Sequence, residues 1–257
     1  MNAERFLVVD EPAPSSHVSP VVLVHGFLGE PQDWDAVVAC LDVPRATYRV
    51  DLLEADVARC DLSTFAGTLA DALVRARLAP ATIVGYSLGA RVAMTLLTEH
   101  PNAVSRVVAV SGSPGVFDET ERRERASADD ALAAALEENG LAPFLDRWYS
   151  APLFASLRSH PDYAMVARRR LAGDGRAWAK VLRDASPGRN PSLWDRLPGL
   201  ASRLWLAVGS LDGKYLSFAR AAHRVAPSMP LTIIDGAGHA VHLERPDALA
   251  SLIDRLP

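Results

Sequence analysis

The sequence predicts an α/β protein with a mostly parallel central sheet and helices on both of its faces. Short β-rich runs alternate with helical patterns along the chain, an alternation that is typical of parallel strands joined by helical crossovers. The strand runs are continuously apolar, as at Val21–Val24, which indicates strands that are buried on both faces. The length of 257 residues fits a single domain of this class.

The order of the elements follows from these runs. Predicted strands cover residues 21–24, 48–51, 81–84, 107–110, 204–208 and 231–234. Predicted helices outside the central block cover residues 63–78, 88–99 and 246–256. Ser63 is the expected cap of the first of these helices, and Pro101 follows the end of the second.

The segment from residue 115 to residue 190 differs from the rest because it lacks a convincing strand pattern. It contains helical stretches at residues 119–138 and 141–149. A helical block inserted between the strands of an open α/β sheet is expected to cover the carboxyl ends of the strands, where such sheets bind ligands. We therefore predict one domain over residues 1–257, with a helical lid insertion at about residues 115–190.

Composition argues against several function classes. The formal net charge of −4 and the isoelectric point near 6.0 give no electrostatic reason to bind nucleic acid or an anionic membrane. No apolar run approaches the roughly 20 residues that cross a bilayer, and the first residues lack the layout of a signal peptide, so we expect a cytoplasmic protein. Cys40 and Cys60 are expected to be free thiols. Nothing in the sequence predicts a metal ion or an organic cofactor.

Residues 85–89 read Gly-Tyr-Ser-Leu-Gly and match the pattern G-x-S-x-G. The pattern is short, but here it follows a predicted strand and opens a predicted helix, which is the setting of a nucleophile elbow. The elbow predicts the α/β-hydrolase fold and makes Ser87 the candidate reactive residue. The alternative is a glycine-rich turn between strand and helix with a buried serine.

A serine hydroxyl needs a neighbouring imidazole to take its proton. His239 follows the last predicted strand within Gly-Ala-Gly-His-Ala, and His242 is its local competitor. The acid is expected between serine and histidine in chain order, after a strand. Asp212 meets this requirement and would hold the imidazole tautomer, although an Asp-Gly pair is also typical of a plain turn.

The oxyanion donors of such a site are backbone N–H groups. One is expected from Leu88, the residue after the serine. The other is expected from Phe27, in the loop that follows the first long strand. Each such donor is worth about 3 kcal/mol of transition-state stabilisation.

The chain resembles the menaquinone-pathway 2-succinyl-6-hydroxy-2,4-cyclohexadiene-1-carboxylate synthases, the MenH family. The matching stretches are residues 25–29 with Trp34, 84–94, 113–115, 122–125, 148–149, 152–157, 209–214 and 238–246. The triad stretches are common to many α/β-hydrolases, whereas the flanks Tyr86 and Arg91 and the Arg-x-Glu-Arg segment at 122–125 are more specific. Residues 51–56 depart from the family, because they lack its Pro-Gly-His-Gly after Asp-Leu.

The resemblance implies a lyase that abstracts a proton from the succinyl side of its substrate and expels pyruvate. Ser87 and His239 then form the proton-abstracting pair, and Asp212 orients His239. The family's substrate carries three carboxylates, so the resemblance also implies a small polycarboxylate ligand and cationic pocket residues. Those that match are Arg91, Arg125 and Arg170, with Arg169 as the alternative to Arg170, and the matching aromatic residues are Tyr86 and Trp148.

Two other functions stay open at this point. A hydrolase of a carboxylic ester or carbon–carbon bond needs the same triad and would form an acyl-enzyme on Ser87. A catalytically silent binding protein on the same fold is the second alternative. The charges of the predicted lid do not distinguish these functions by themselves. Residues 115–190 contain eleven arginines and one lysine but also twelve acidic residues, and many of these side chains are expected to be solvated.

Overall fold

A seven-stranded sheet forms the centre of the molecule. The computed structural model describes residues 6–11, 19–43, 45–55 and 58–256. The strands are β1 (Leu7–Glu11), β2 (Val21–Val24), β3 (Thr47–Val50), β4 (Ala81–Tyr86), β5 (Val104–Val110), β6 (Leu204–Gly209) and β7 (Leu231–Ile234). Their spatial order is β1-β3-β2-β4-β5-β6-β7. All neighbours are parallel except β1 and β3, so the prediction of an α/β-hydrolase fold with a mostly parallel sheet is confirmed.

The helices of the sheet layers are α1 (Asp35–Ala39), α2 (Leu62–Arg75), α3 (Leu88–Glu99), α10 (Gly213–Val225), α11 (Val241–Glu244) and α12 (Pro246–Asp254). The chain passes from β2 to β3 in one direction across the sheet and from β3 back past β2 to β4 in the other. Because crossovers between parallel strands are right-handed, this reversal places α1 on the opposite face from α2 and α3. The packing agrees, since α2 lies against α3 while α1 lies against α12.

Every residue of β2 and of β4 is buried, as expected for strands covered on both faces. This burial explains why continuous apolar runs were a sound strand signal here. The edge strand β1 was missed, because it is short and its sequence Leu-Val-Val-Asp-Glu carries no alternation that marks an edge. The prediction that Ser63 caps this helix is wrong. The cap of α2 is Asp61, whose Oδ1 accepts the N–H of Thr64 at 2.8 Å.

The block between β5 and β6 is helical. It comprises α4 (Glu119–Asn139), α5 (Leu141–Tyr149), α6 (Ala155–Arg158), α7 (Tyr163–Leu171), α8 (Gly175–Asp184) and α9 (Leu197–Leu200), with no strand among the described residues 111–203. α8 buries one apolar face, including Trp178 and Leu182, and packs along α4. Within the described part of the chain, no helix combines the length and the apolar character that crossing a membrane requires.

Candidate functional site

The turn between β4 and α3 holds Ser87 in a strained conformation. Ser87 has φ 51°, in the left-handed region that non-glycine residues rarely occupy. A methyl group on Gly85 would collide with the carbonyl of Gly89, and one on Gly89 would collide with the carbonyl of Val24. The two glycines of the pattern are therefore what lets the chain turn sharply enough to present the serine hydroxyl.

Three side chains from separate loops meet at this turn. His239 Nε2 lies 3.2 Å from Ser87 Oγ, and His239 Nδ1 lies 2.7 Å from Asp212 Oδ2. Asp212 and His239 are both buried. The competitor His242 has no such contact with the serine; its ring packs against Tyr86 at a centroid distance of 4.2 Å.

Asp212 is fixed by the start of α10. Its Oδ1 accepts the N–H of Tyr215 at 3.0 Å, as an N-cap does, which leaves Oδ2 for His239. A carboxylate on Nδ1 favours the tautomer whose Nε2 is free to accept a proton from the serine. Asp212 therefore does more than form a turn with Gly213, because its carboxylate both caps α10 and contacts His239.

Glu244 holds the loop that carries His239. Its two carboxylate oxygens accept the backbone N–H groups of Gly238 at 2.8 Å and of Ala240 at 3.1 Å. These amides flank the histidine on both sides, so the carboxylate fixes the backbone from which the imidazole projects. Sequence reasoning assigned no role to Glu244, since the contact depends on the path of the loop.

The expected oxyanion donors lie on the walls of the same cavity as Ser87. Leu88 is the first residue of α3, so its N–H has no partner within the helix. Phe27 follows a buried histidine, His25, whose Nδ1 contacts the Gly26 carbonyl at 2.9 Å and whose Nε2 accepts the N–H of Leu52 at 3.1 Å. These contacts fix the turn that presents the Phe27 backbone.

The serine opens into a cavity of about 360 Å³ between the sheet and the helical block. Its walls carry many aromatic rings, among them Phe27, Tyr86, Trp148, Phe154 and Tyr215. Trp148 packs on Phe27 at a centroid distance of 5.1 Å, and Tyr215 packs on His239 at 4.4 Å. The volume suits a small molecule.

Four cationic side chains line this cavity: Arg91, Arg125, Arg170 and Lys214. Arg91 donates to the carbonyl of Ala185 at 2.7 Å. No carboxylate among the described residues lies within 4.0 Å of its guanidinium. Burial, together with the charge of Arg125, lowers the pKa of Arg91 to about 10, so the residue remains a cation at neutral pH.

Arg125 and Arg170 both have carboxylate partners. Arg125 Nε lies 2.8 Å from Asp129 Oδ2, one turn along α4. Arg170 Nη2 lies 2.6 Å from Asp33 Oδ2, and both of these side chains are buried. Burial alone would raise the pKa of the Asp33 carboxyl, but the neighbouring Arg170 outweighs it and the pKa is lowered. The pair is therefore ionised.

The three consecutive arginines of α7 separate as expected, with Arg170 on the cavity wall. Arg169 contacts the same Asp33 carboxylate as Arg170, at 3.1 Å from Asp33 Oδ1, and also lies 2.6 Å from Glu30 Oε1. Two arginines and two carboxylates thus form a neutral cluster at this end of the cavity. Arg170 is in the predicted place, but its charge is already compensated.

Sequence reasoning assigned no role to the lining residues Asp33, Lys214 and Tyr215, and it considered His242 only as a competitor of His239. Lys214 and Tyr215 follow Asp212 at the start of α10, so their proximity to the acid was a usable signal. Asp33 gave none, because its partner Arg170 is 137 positions away in sequence. His242 is buried, and neither ring nitrogen has a hydrogen-bond partner among the described residues; burial lowers its pKa to about 3.

The described part of the loop that departs from the family pattern does not line the cavity. Residues 52–55 form a short 3₁₀ turn, and none of the described residues 51–55 and 58–61 lines the cavity. Cys60 N–H donates to Asp184 of α8 at 2.8 Å, which ties this loop to the helical block. Among the described residues, no cluster of His, Cys, Asp or Glu is arranged to hold a metal ion.

The chain is similar to known sequences over nearly its whole length. The chain matches the alpha/beta hydrolase family over residues 21–252. It is 30% identical over 241 residues to the 2-succinyl-6-hydroxy-2,4-cyclohexadiene-1-carboxylate synthase of Enterobacter sp. (strain 638), with 92% of this chain and 90% of that protein covered. It is 34% identical over 264 residues to Protein PHYLLO, chloroplastic, of Arabidopsis thaliana; this match covers 94% of the chain but spans only 15% of that protein's length.

Solved structures agree with the sequence matches. MenH from S. aureus superposes with a TM-score of 0.90 at 25% identity, over 96% of both chains. A thermophilic esterase from Thermogutta terrifontis, solved with malate bound, superposes with a TM-score of 0.80 at 18% identity, over 96% of this chain and 91% of that one. The second likeness shows the fold alone.

Proposed function

Because the chain belongs to the alpha/beta hydrolase family, and within it to the 2-succinyl-6-hydroxy-2,4-cyclohexadiene-1-carboxylate synthases, we propose that it is a lyase that eliminates pyruvate from a succinyl-enolpyruvyl-cyclohexene carboxylate in menaquinone biosynthesis. The observation that carries the proposal is the Ser87–His239–Asp212 relay at the wall of a cavity with four cationic side chains. Two of these cations, Arg91 and Lys214, have no carboxylate within 4.0 Å among the described residues, which suits an anionic ligand better than a neutral ester.

The reaction begins at the carbon that bears the succinyl group, because its hydrogen lies next to a carbonyl. Ser87 Oγ takes this proton while passing its own proton to His239 Nε2. Asp212 stabilises the imidazolium that forms. The electron pair of the broken C–H bond delocalises onto the succinyl carbonyl oxygen as an enolate.

The enolate then expels the leaving group. Its carbonyl re-forms, a double bond forms at the succinyl-bearing carbon, the existing ring double bond shifts by one position, and the C–O bond to the enolpyruvyl group breaks. The products are the cyclohexadiene and the enolate of pyruvate, which takes up a proton. We propose that the N–H groups of Phe27 and Leu88 stabilise the enolate oxygen, at about 3 kcal/mol each.

The other residues of the cavity also have roles in the proposed reaction. We propose that Tyr86 and Trp148 enclose the ring of the substrate and that the cations bind its carboxylates, as arginine does well through its planar fork. We further propose that the helical block acts as the lid of a single domain, and that the protein works in the cytoplasm on this small polycarboxylate.

Pyruvate release from the synthesised cyclohexene substrate tests the proposal. We expect Ser87→Ala and His239→Ala each to lower kcat by roughly three orders of magnitude or more, and the double variant to be little slower than either, because the two residues act as a unit. Asp212→Asn should fold normally but react slowly, since the amide favours the wrong tautomer. Full pyruvate release by Ser87→Ala would overturn the assignment.

A serine hydrolase is the second candidate, because the same relay would activate Ser87 for attack on an ester. It predicts an acyl-enzyme on Ser87 and a burst of p-nitrophenol from p-nitrophenyl acetate. Mass spectrometry of the quenched protein distinguishes the two functions: an acyl adduct supports the hydrolase, and an unmodified chain during pyruvate release supports the lyase.

A further inference from the structure

Tyr215 contacts every member of the relay. Its backbone N–H donates to Asp212 Oδ1 at 3.0 Å, and its ring packs on the ring of His239 at a centroid distance of 4.4 Å and an interplanar angle of 40°. Its hydroxyl forms a hydrogen bond with the side chain of Ser87. One residue on the first turn of α10 therefore links the acid, the histidine and the serine.

The hydroxyl is the part of Tyr215 that the reaction described above leaves without a task. The contact with Asp212 is made by the backbone, and the contact with His239 is made by the ring. Phenylalanine at this position would keep both of these contacts. Only the contact with Ser87 requires a tyrosine.

The direction of the hydrogen bond between the two hydroxyl groups follows from the number of their hydrogens. Ser87 has one hydrogen, and the relay requires it to point to His239 Nε2, which lies 3.2 Å from Ser87 Oγ. A hydroxyl oxygen also carries two acceptor lone pairs. Because the hydrogen of Ser87 is committed to the histidine, Ser87 Oγ accepts at its other contact and the Tyr215 hydroxyl donates.

The Tyr215 hydroxyl keeps its proton at neutral pH. Burial raises its pKa above the ordinary value of a tyrosine, and the opposing charges of Arg125 and Arg91 do not outweigh this effect. The donor is therefore present throughout the reaction. A hydrogen bond to an oxygen that becomes negative is stronger than one to a neutral oxygen.

We propose that Tyr215 is a catalytic residue, whose hydroxyl donates to Ser87 Oγ and stabilises the negative charge that grows on this oxygen while the serine proton moves to His239. Because the bond strengthens as the charge develops, it stabilises the transition state more than the resting enzyme. Tyr215 itself neither gains nor loses a proton. The inference rests on the relay of the proposed function, and it holds whether Ser87 acts on a C–H bond or on an ester.

Covalent labelling of Ser87 tests this role without the lyase substrate. The probe is diisopropyl fluorophosphate, which is small and neutral. Ser87 Oγ forms a bond to phosphorus, the P–F bond breaks, fluoride leaves and the serine proton goes to His239. Mass spectrometry of the quenched protein measures the rate. We expect Tyr215→Phe, which removes only the hydroxyl, to be labelled about tenfold more slowly than the wild type, since a hydrogen bond to a charged group is worth at least this factor.

Tyr163→Phe is the matched control. It removes the same hydroxyl from a half-buried tyrosine of α7 that does not line the cavity and whose ring packs on Tyr149. Its labelling rate should stay within about twofold of the wild type, because the substitution lies outside the relay. Equal slowing in Tyr163→Phe and Tyr215→Phe, or no slowing in Tyr215→Phe, would overturn the proposal.

The kinetics of pyruvate release give a second readout, which a purely structural role would not produce. We expect Tyr215→Phe to lower kcat about tenfold while KM stays within about threefold, because the bond acts on a charge that forms only in the transition state. Tyr215→Leu should be slower still, since it also removes the ring from His239. A normal kcat in Tyr215→Phe beside a slow Tyr215→Leu would assign the whole effect to the ring and contradict the role of the hydroxyl.

The two readouts separate this inference from the proposed function. If Tyr215→Phe slows the labelling of Ser87 but the wild type releases no pyruvate, the role of Tyr215 stands and the proposed reaction fails. If the wild type releases pyruvate and Tyr215→Phe matches it in both labelling rate and kcat, the reaction stands and the role of Tyr215 fails.

Discussion

The two ends of the cavity hold arginines in opposite electrostatic states. At one end Arg170 lies 2.6 Å from Asp33, both buried, with Arg169 and Glu30 completing a neutral cluster. At the other end Arg91 has a backbone carbonyl as its partner and repels Arg125. From this comparison we expect a lining arginine to bind a ligand carboxylate more strongly where no carboxylate of the protein is paired with it.

The difference in charge pairing between Arg170 and Arg91 follows from which parts of the fold supply their partners. Asp33 lies in the short 3₁₀ helix Pro31–Trp34, next to β2, so its pair with Arg170 joins the sheet layer to α7. Arg91 lies on α3, one turn after Ser87, and its contact with Ala185 leaves its positive charge uncompensated.

The largest expected effect is on stability at the paired end. Arg170→Met leaves the Asp33 carboxylate buried without its closest partner, and breaking a buried pair in this way costs several kcal/mol. We expect a loss of about 3 kcal/mol in the free energy of unfolding, at the lower end of the range because Arg169 still reaches Asp33. Urea denaturation measures it.

The matched variant is Arg91→Met, which removes an unpaired cation. Its free energy of unfolding should change by less than about 1 kcal/mol, because desolvation of the guanidinium and repulsion from Arg125 are lost together with one hydrogen bond. An equal loss of stability in the two variants would refute the distinction between the ends of the cavity.

The second prediction concerns activity at the unpaired end. If Arg91 binds a substrate carboxylate as proposed, Arg91→Met removes a charge-assisted bond that is worth about 1.5–3 kcal/mol. We expect kcat/KM for pyruvate release to fall roughly ten- to hundredfold, with partial rescue in Arg91→Lys, which keeps the charge but loses the fork. Unchanged kcat/KM would show that the free charge does not serve the substrate.

The third prediction concerns pH at the paired end, where His242 faces Asp33, Arg170, His239 and His25. Burial lowers the pKa of His242 from 6.5 to about 3 in the folded protein. The unfolded chain therefore binds more protons between these values, and stability is complete above pH 6.5 and falls as the pH drops towards 3.

His242→Phe removes this titration while keeping a ring between Tyr86 and Trp34. Between pH 7 and pH 5 the wild type should lose about 2 kcal/mol of stability more than the variant does. Denaturation curves at the two pH values measure the difference. Parallel losses in both proteins would mean that His242 is not held neutral by burial.

These contrasts also show which features were predictable from sequence. The serine, the histidine and the acid that meet at the elbow are marked by local backbone signals, namely a turn between glycines and two loops that follow strands. The match of predicted and observed α3, Leu88–Glu99, has the same origin. The pair of Asp33 and Arg170 joins residues 137 positions apart, so no local pattern could tell a paired arginine from a free one.

The same limit explains the smaller errors. Ser63 and Asp61 are both good caps, and only the path of the loop decides for Asp61. The position of Lys214 at the cavity could have been predicted, because it follows Asp212 by two residues, but a lysine at the start of a helix is usually solvated. Glu244 was not, since its two amide contacts depend on how the loop around His239 closes.

The most direct test of the account measures selectivity for charge. Wild type and Arg91→Met are assayed side by side for pyruvate release from the cyclohexene tricarboxylate and for hydrolysis of p-nitrophenyl acetate. We predict pyruvate release by the wild type in equal amount to the cyclohexadiene, and a loss in Arg91→Met confined to the tricarboxylate, roughly ten- to hundredfold in kcat/KM. Rapid ester hydrolysis with no pyruvate release, affected equally or not at all by Arg91→Met, would contradict the account.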